Sequence, residues 1–183
     1  MPTFSLRLLS CVFAVAMAAN VSAEAVAVLH PAKLPALAGA DLLVLELDRN
    51  GGLRLLDGRH HAGRVKTAAS RTPTSGELGL AWLDAEGEPQ LIAFSRVAWE
   101  VHGPTLFAEG QWRCQPHPLD EAVIAVKLPR PVTAHELVVF QLGETAPTSA
   151  AELRRALRAR PQTAGLRVLA RFPRTALATG DRP

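Results

Sequence analysis

Apolar and polar residues alternate over several short stretches of the chain, and that period of two places strands before composition is considered. Across residues 41–49, Leu43, Leu45 and Leu47 fall on one side while Leu42, Val44 and Glu46 fall on the other. One face is wholly apolar and the other nearly so, the pattern of a strand covered on both sides. Asn50-Gly51-Gly52 follows, suited to the positive φ angles of a tight turn, and residues 53–57 return as the partner strand. Residues 58–76 read as a polar loop with a short strand over 64–68, ending in the turn-rich Thr72-Pro73-Thr74-Ser75-Gly76. Further strands are predicted at 25–29, 77–83, 120–128 and 136–142, with one bent strand or two short ones over 90–101.

One helix interrupts this series. Ser149-Ala150-Ala151-Glu152 fits a capping box, in which Ser149 and Glu152 satisfy each other's backbone N–H groups. Leu153 and Leu157 then lie one turn apart on the buried side, while Arg154, Arg155 and Arg158 face outward. Pro161 ends the helix, residues 166–172 form a last strand, and 175–183 fray. The predicted fold is mainly β: an antiparallel immunoglobulin-like sandwich of about seven to nine strands with one C-terminal α-helix. A small open β-barrel is the alternative. Strands and helices do not alternate, so a parallel α/β sheet is unsupported.

The N-terminus changes what counts as the domain. Arg7, the apolar run 8–19 and the small residues Val21-Ser22-Ala23 before Glu24 have the order of a secretory signal peptide. The run is too short for a bilayer span, which needs about 20 residues, and no later charge-free stretch is long enough either. The expected organisation is a signal peptide at 1–23, a β-sandwich body at 24–142, an Arg-rich helix and last strand packed on it at 143–174, and a flexible end at 175–183. Export makes the destination periplasmic or secreted. It also removes Cys11 and leaves Cys114 as the one thiol, so no internal disulfide can form. Residues 24–183 are enough to stabilise a domain by burial alone.

The net charge of +3 conceals an uneven distribution. Residues 142–183 hold eight arginines and three acids, whereas residues 24–141 carry 11 basic and 14 acidic side chains. The basic section could meet an envelope or extracellular protein, or an anionic surface, with Arg154, Arg155 and Arg158 as the partner-binding candidates. Nucleic acid is excluded as a partner. Tyr is absent and Phe172 alone is aromatic within the basic section, while stacking on single strands needs several aromatic faces.

The chain carries none of the sequence signatures of common enzymes. Gly-x-Ser-x-Gly, His-Glu-x-x-His and Gly-x-Gly-x-x-Gly are missing, and Val65 precedes Lys66-Thr67 where a phosphate loop needs Gly. Asp48-Arg49-Asn50-Gly51-Gly52 begins like a calcium loop, but Gly52 and Arg59 stand where ligands belong. The candidate metal ligands for Cu or Zn are the adjacent His60 and His61, and Cys114 with His117. Each set supplies two ligands where a closed site needs four. Trp82 and Trp99 share phase with apolar neighbours and are expected in the core, whereas the pattern does not place Trp112.

The order of strand, Asn50-Gly51-Gly52 turn and strand, then Leu83-Asp84-Ala85-Glu86-Gly87, Ala122-Val123-Ile124-Ala125-Val126-Lys127-Leu128-Pro129 and Glu136-Leu137-Val138-Val139-Phe140 resembles immunoglobulin-like accessory sandwiches of exported bacterial proteins. The resemblance covers residues 41–142 and implies a non-catalytic role in interaction or scaffolding. The leading expectation is therefore an exported binding or accessory protein without a cofactor, acting through its sandwich surface or edge strands. A periplasmic Cu- or Zn-binding sandwich comes second. An enzyme whose site is assembled from distant residues comes third.

Overall fold

The computed structural model describes residues 24–25, 27–29, 35–63, 72–108, 110–145, 149–159 and 165–177. The expected signal peptide and the short strand at 64–68 lie outside the described residues. The elements run in the order β1 (Glu24–Ala25), β2 (Ala27–Leu29), β3 (Leu37–Asp48), β4 (Leu53–His61), β5 (Leu78–Leu83), β6 (Pro89–Ser95), β7 (Glu100–Leu106), β8 (Trp112–Pro118), β9 (Glu121–Pro131), β10 (Glu136–Leu142), α1 (Ala150–Arg158) and β11 (Leu166–Pro173). A 3-10 turn, Arg174–Leu177, closes the described chain.

The strands form a four-stranded sheet in the order β1-β9-β3-β4, a five-stranded sheet in the order β11-β10-β5-β6-β2, and a separate ribbon of β7 and β8. Pairing is antiparallel except between β1 and β9. The sheets stay open, so the molecule is a sandwich and not a closed barrel. Leu43, Leu45, Leu47, Val126 and Leu128 from the four-stranded sheet meet Leu78, Leu80, Trp82, Leu137 and Val139 from the five-stranded one. On the other side of the five-stranded sheet, Ala81, Ile92, Phe94, Val138 and Phe140 meet Leu153, Ala156 and Leu157 of α1. The order of layers is thus sheet, sheet, helix. The middle layer is covered on both faces, which is why β5 is apolar at every position and every residue of it is buried.

Close packing inside that layer sets one glycine. Gly79 lies opposite Phe140 across the β5–β10 ladder, and a Cβ at Gly79 would clash with Cε2 and Cζ of the Phe140 ring. The ring cannot easily yield, because it packs edge-on against Phe94 with centroids 6.3 Å apart. The hairpin after β3 forms at the expected place. Gly51 takes φ +84°, and Asp48 Oδ1 accepts hydrogen bonds from the N–H groups of Asn50 and Gly52 at 2.7 and 2.9 Å. Ser149 caps helix α1 as predicted, its Oγ accepting from Glu152 N–H at 3.2 Å, which is one of the two bonds of the expected capping box.

Three boundaries differ from expectation. β4 runs on through Gly58, Arg59, His60 and His61, which had read as loop, because these residues continue the ladder with β3. The terminus does not fray at residue 175. Leu177 is fully buried and packs over Gly58 of β4. Residues 100–118 hold two strands, β7 and β8, that no apolar alternation announced.

Candidate functional site

Side chains of adjacent strand residues point to opposite faces. His60 therefore turns inward, where its Nδ1 donates to Asp41 Oδ1 at 3.0 Å, while exposed His61 faces the other way. The pair cannot chelate one ion from β4. Cys114 and His117 are likewise on opposite faces of β8: Cys114 is exposed and lies across from Pro104, and His117 Nε2 is 3.0 Å from Thr105 Oγ1. Among the described residues, no group of three or more His, Cys, Asp or Glu side chains is placed to hold a metal ion.

The three helix arginines do not form one outward face. Arg155 is exposed, Arg158 is exposed but paired with Glu88, and Arg154 is half-buried. The last is a correction to the outward position expected for it. A cleft of about 350 Å³ lies beside Arg158, between α1 and the turn from β5 to β6. Its charges are largely matched from within: Glu88 holds Arg158, and Glu136 accepts from Arg171 at 2.7 Å. Asp84 is used by its own turn, accepting from the N–H groups of Glu86 and Glu88 at 3.1 and 2.7 Å. The Arg158–Glu88 pair joins the helix layer to the β5–β6 turn.

The inward phase of β3 and β9 carries a charge cluster that sequence reading missed. Asp41 shares phase with Leu43, Leu45 and Leu47 yet is fully buried as a carboxylate, and Arg130 shares phase with Val126 and Leu128. Arg130 Nε donates to Asp41 Oδ2 at 2.6 Å, and its Nη2 stands 2.6 Å from Oδ1 as an ion-pair contact outside hydrogen-bond direction. The guanidinium also lies over the Trp82 ring, 5.5 Å from its centroid. A charged residue repeated in the apolar phase of two strands was the available signal.

An imidazole held by a buried carboxylate has the base-and-orienter geometry of acyl-transfer enzymes. Here the same carboxylate is also held by Arg130, and no Ser, Thr or Cys among the described residues is hydrogen-bonded to His60. Cys114 lies in the β7–β8 ribbon, whereas His60 lies in the four-stranded sheet. Asp41 of β3 is thus held at once by His60 of β4 and Arg130 of β9, so the cluster ties three neighbouring strands together.

The most unusual surface is the β7–β8 ribbon. Its seven residue pairs run from Glu100↔Pro118 to Leu106↔Trp112, and every side chain of β8 is exposed. Even-numbered residues share one face: Pro104, Leu106, Trp112, Cys114, Pro116 and Pro118, with Glu100 and His102 near the root. Trp112 is 66% and Leu106 55% exposed although they are cross-strand neighbours. On the opposite face Arg113 lies over the Phe107 ring, 5.1 Å from its centroid, and Val101 is 43% exposed. The root is clamped by Arg49 of the β3–β4 turn. Its backbone N–H donates to Asp120 O at 3.1 Å, its Nε donates to Leu119 O at 2.7 Å, and its guanidinium lies over Trp99 at 5.9 Å. Trp99 is half-buried against the main core, and Trp82 is fully buried within it.

No helix among the described residues is long and apolar enough to cross a membrane. In comparisons with known proteins, the chain matches no family model, no curated protein and no solved structure.

Proposed function

We propose that this is an exported, non-catalytic binding or accessory protein of the periplasm or extracellular space, and that the β7–β8 arm is its contact surface. The observation that carries the reading is the apolar face of the arm, with Leu106 and Trp112 side by side and more than half exposed. Two strands alone are marginally stable in water, and contiguous exposed apolar side chains on a domain mark interaction sites. The clamp by Arg49 supports the same reading, since a contact surface gains from a fixed base. Export itself rests on the sequence pattern of residues 1–23.

Photo-crosslinking residues placed at positions 106 and 112 in living cells test this directly, with position 54 on the outer face of the four-stranded sheet as the comparison. Discrete adducts from 106 and 112, absent from 54, are expected. Equal adduct patterns at all three positions, or turnover of a substrate that survives deletion of residues 102–116, would overturn the proposal.

A further inference from the structure

Each sheet of the sandwich ends in one long edge strand, β4 in the four-stranded sheet and β11 in the five-stranded one. Arg167 of β11 donates from Nη2 to Asn50 O at 2.8 Å, at the turn that leads into β4. The 3-10 turn after β11 carries Leu177 onto Gly58 of β4. The two edges therefore border the same side of the molecule. Gly58 pairs with inward-facing Leu43, and a Cβ on it would stand in ordinary contact with Leu177 at 3.7–3.8 Å, so Leu177 enters between the sheets. Along this side Leu53 and Leu55 of β4 and Leu169 and Phe172 of β11 are only partly buried against the main core.

Leu177 is fully buried in that core, yet Arg174, Thr175 and Ala176 of the same turn are exposed. Arg174 fastens the start of the turn. Its N–H donates to His135 O at 2.9 Å and its Nη1 to Val132 O at 3.3 Å, both in the β9–β10 turn. We infer that residues 174–177 are a latch, hinged at Arg174 and closed by Leu177, which opens without the rest of the fold and uncovers an apolar seam between β4 and β11. Burial of one leucine favours the closed latch by about 10- to 100-fold, whereas a folded domain is favoured several thousandfold or more, a figure of order-of-magnitude kind. Opening of the latch alone is thus the commoner event. No ladder between strands has to break for it, because Leu177 lies beyond the last residue of β11. The resident occupant of the seam is the chain's own Leu177, and the device is independent of the β7–β8 arm.

Native-state thiol labelling of the full chain tests this, with Cys114→Ser removing the exposed thiol. A thiol placed by Leu177→Cys should react at least about 30-fold faster than one placed by Val139→Cys, at a fully buried position of the middle sheet. The rate at 177 should hardly respond to low urea, since little surface opens, while the rate at 139 should rise steeply. Equal rates with equal urea slopes mean that Leu177 is released only by global unfolding, and overturn the inference. Leu177→Asp, which holds the latch open, should raise the fluorescence of anilinonaphthalene sulfonate by about threefold or more with an unchanged far-ultraviolet spectrum. No gain in dye binding removes the seam, and loss of the far-ultraviolet spectrum makes Leu177 part of the global fold; either result overturns the latch.

Discussion

Replacing Arg130 with Met tests the energetics of the sandwich interior most sharply. The substitution keeps much of the side-chain volume but leaves the Asp41 carboxylate fully buried, with only His60 beside it. Removing one member of a buried ion pair costs about 3–5 kcal/mol, because the remaining charge is uncompensated. Loss of the cation over Trp82 adds up to about 1 kcal/mol. His60 offsets part of this, since its ring is 30% exposed and can bring Asp41 a hydrogen bond backed by water. The expected net cost is about 3 kcal/mol. With a urea slope near 2 kcal/mol per M, the unfolding midpoint should fall by about 1.5 M, read from tryptophan fluorescence and far-ultraviolet circular dichroism. The double variant Asp41→Leu with Arg130→Met removes both charges and should recover most of the loss, as apolar replacements of buried pairs do. A single variant costing less than about 1 kcal/mol, or a double variant worse than the two singles summed, would refute the assignment of Asp41 as a buried charge that depends on Arg130.

Gly79→Ala should destabilise by about 1–3 kcal/mol, because its methyl would overlap the Phe140 ring in a layer buried on both sides; chemical denaturation measures this. Leu153→Ala empties the contact between α1 and the five-stranded sheet and should cost about 2–4 kcal/mol, with helix amides exchanging before those of β5 and β10. Arg49→Ala should change global stability little, yet speed proteolysis within residues 107–111, since it releases the clamp at the root of the arm. Zinc titration of His60→Ala and His61→Ala variants should give the same weak isotherm as the parent, because the two rings lie on opposite faces of β4.

The body was legible in the sequence because its strands are covered on one or both sides. Burial writes Leu43, Leu45 and Leu47, or the unbroken run of β5, into the apolar pattern, and the capping box marked α1 in the same local way. The arm was not legible for the converse reason. Among the described residues β7 and β8 form a sheet of their own with mostly exposed side chains, so no half-buried face imposes alternation on Glu100–Leu106 or Trp112–Pro118, and three prolines speak against strands. The far end of β4 was lost similarly: Gly58 reads as a turn residue, yet here it continues the ladder opposite Leu43. The Asp41–Arg130 pair joins residues 89 positions apart. Each alone reads as an ordinary strand-end charge, and only pairing β3 with β9 brings them together. His60 and His61 suggested a metal by adjacency, but adjacency in a strand separates side chains instead of gathering them.

The claim that the arm is the contact surface is tested most directly by amide hydrogen exchange of Glu100–Leu106 and Trp112–Pro118. In the dilute purified chain these amides should exchange rapidly, since only one ladder of a two-stranded ribbon protects them. With a captured partner bound they should slow at least tenfold while β5 and β10 stay as they were. Exchange in the arm that is equally fast in every state, beside protection arising elsewhere on the surface, would contradict it.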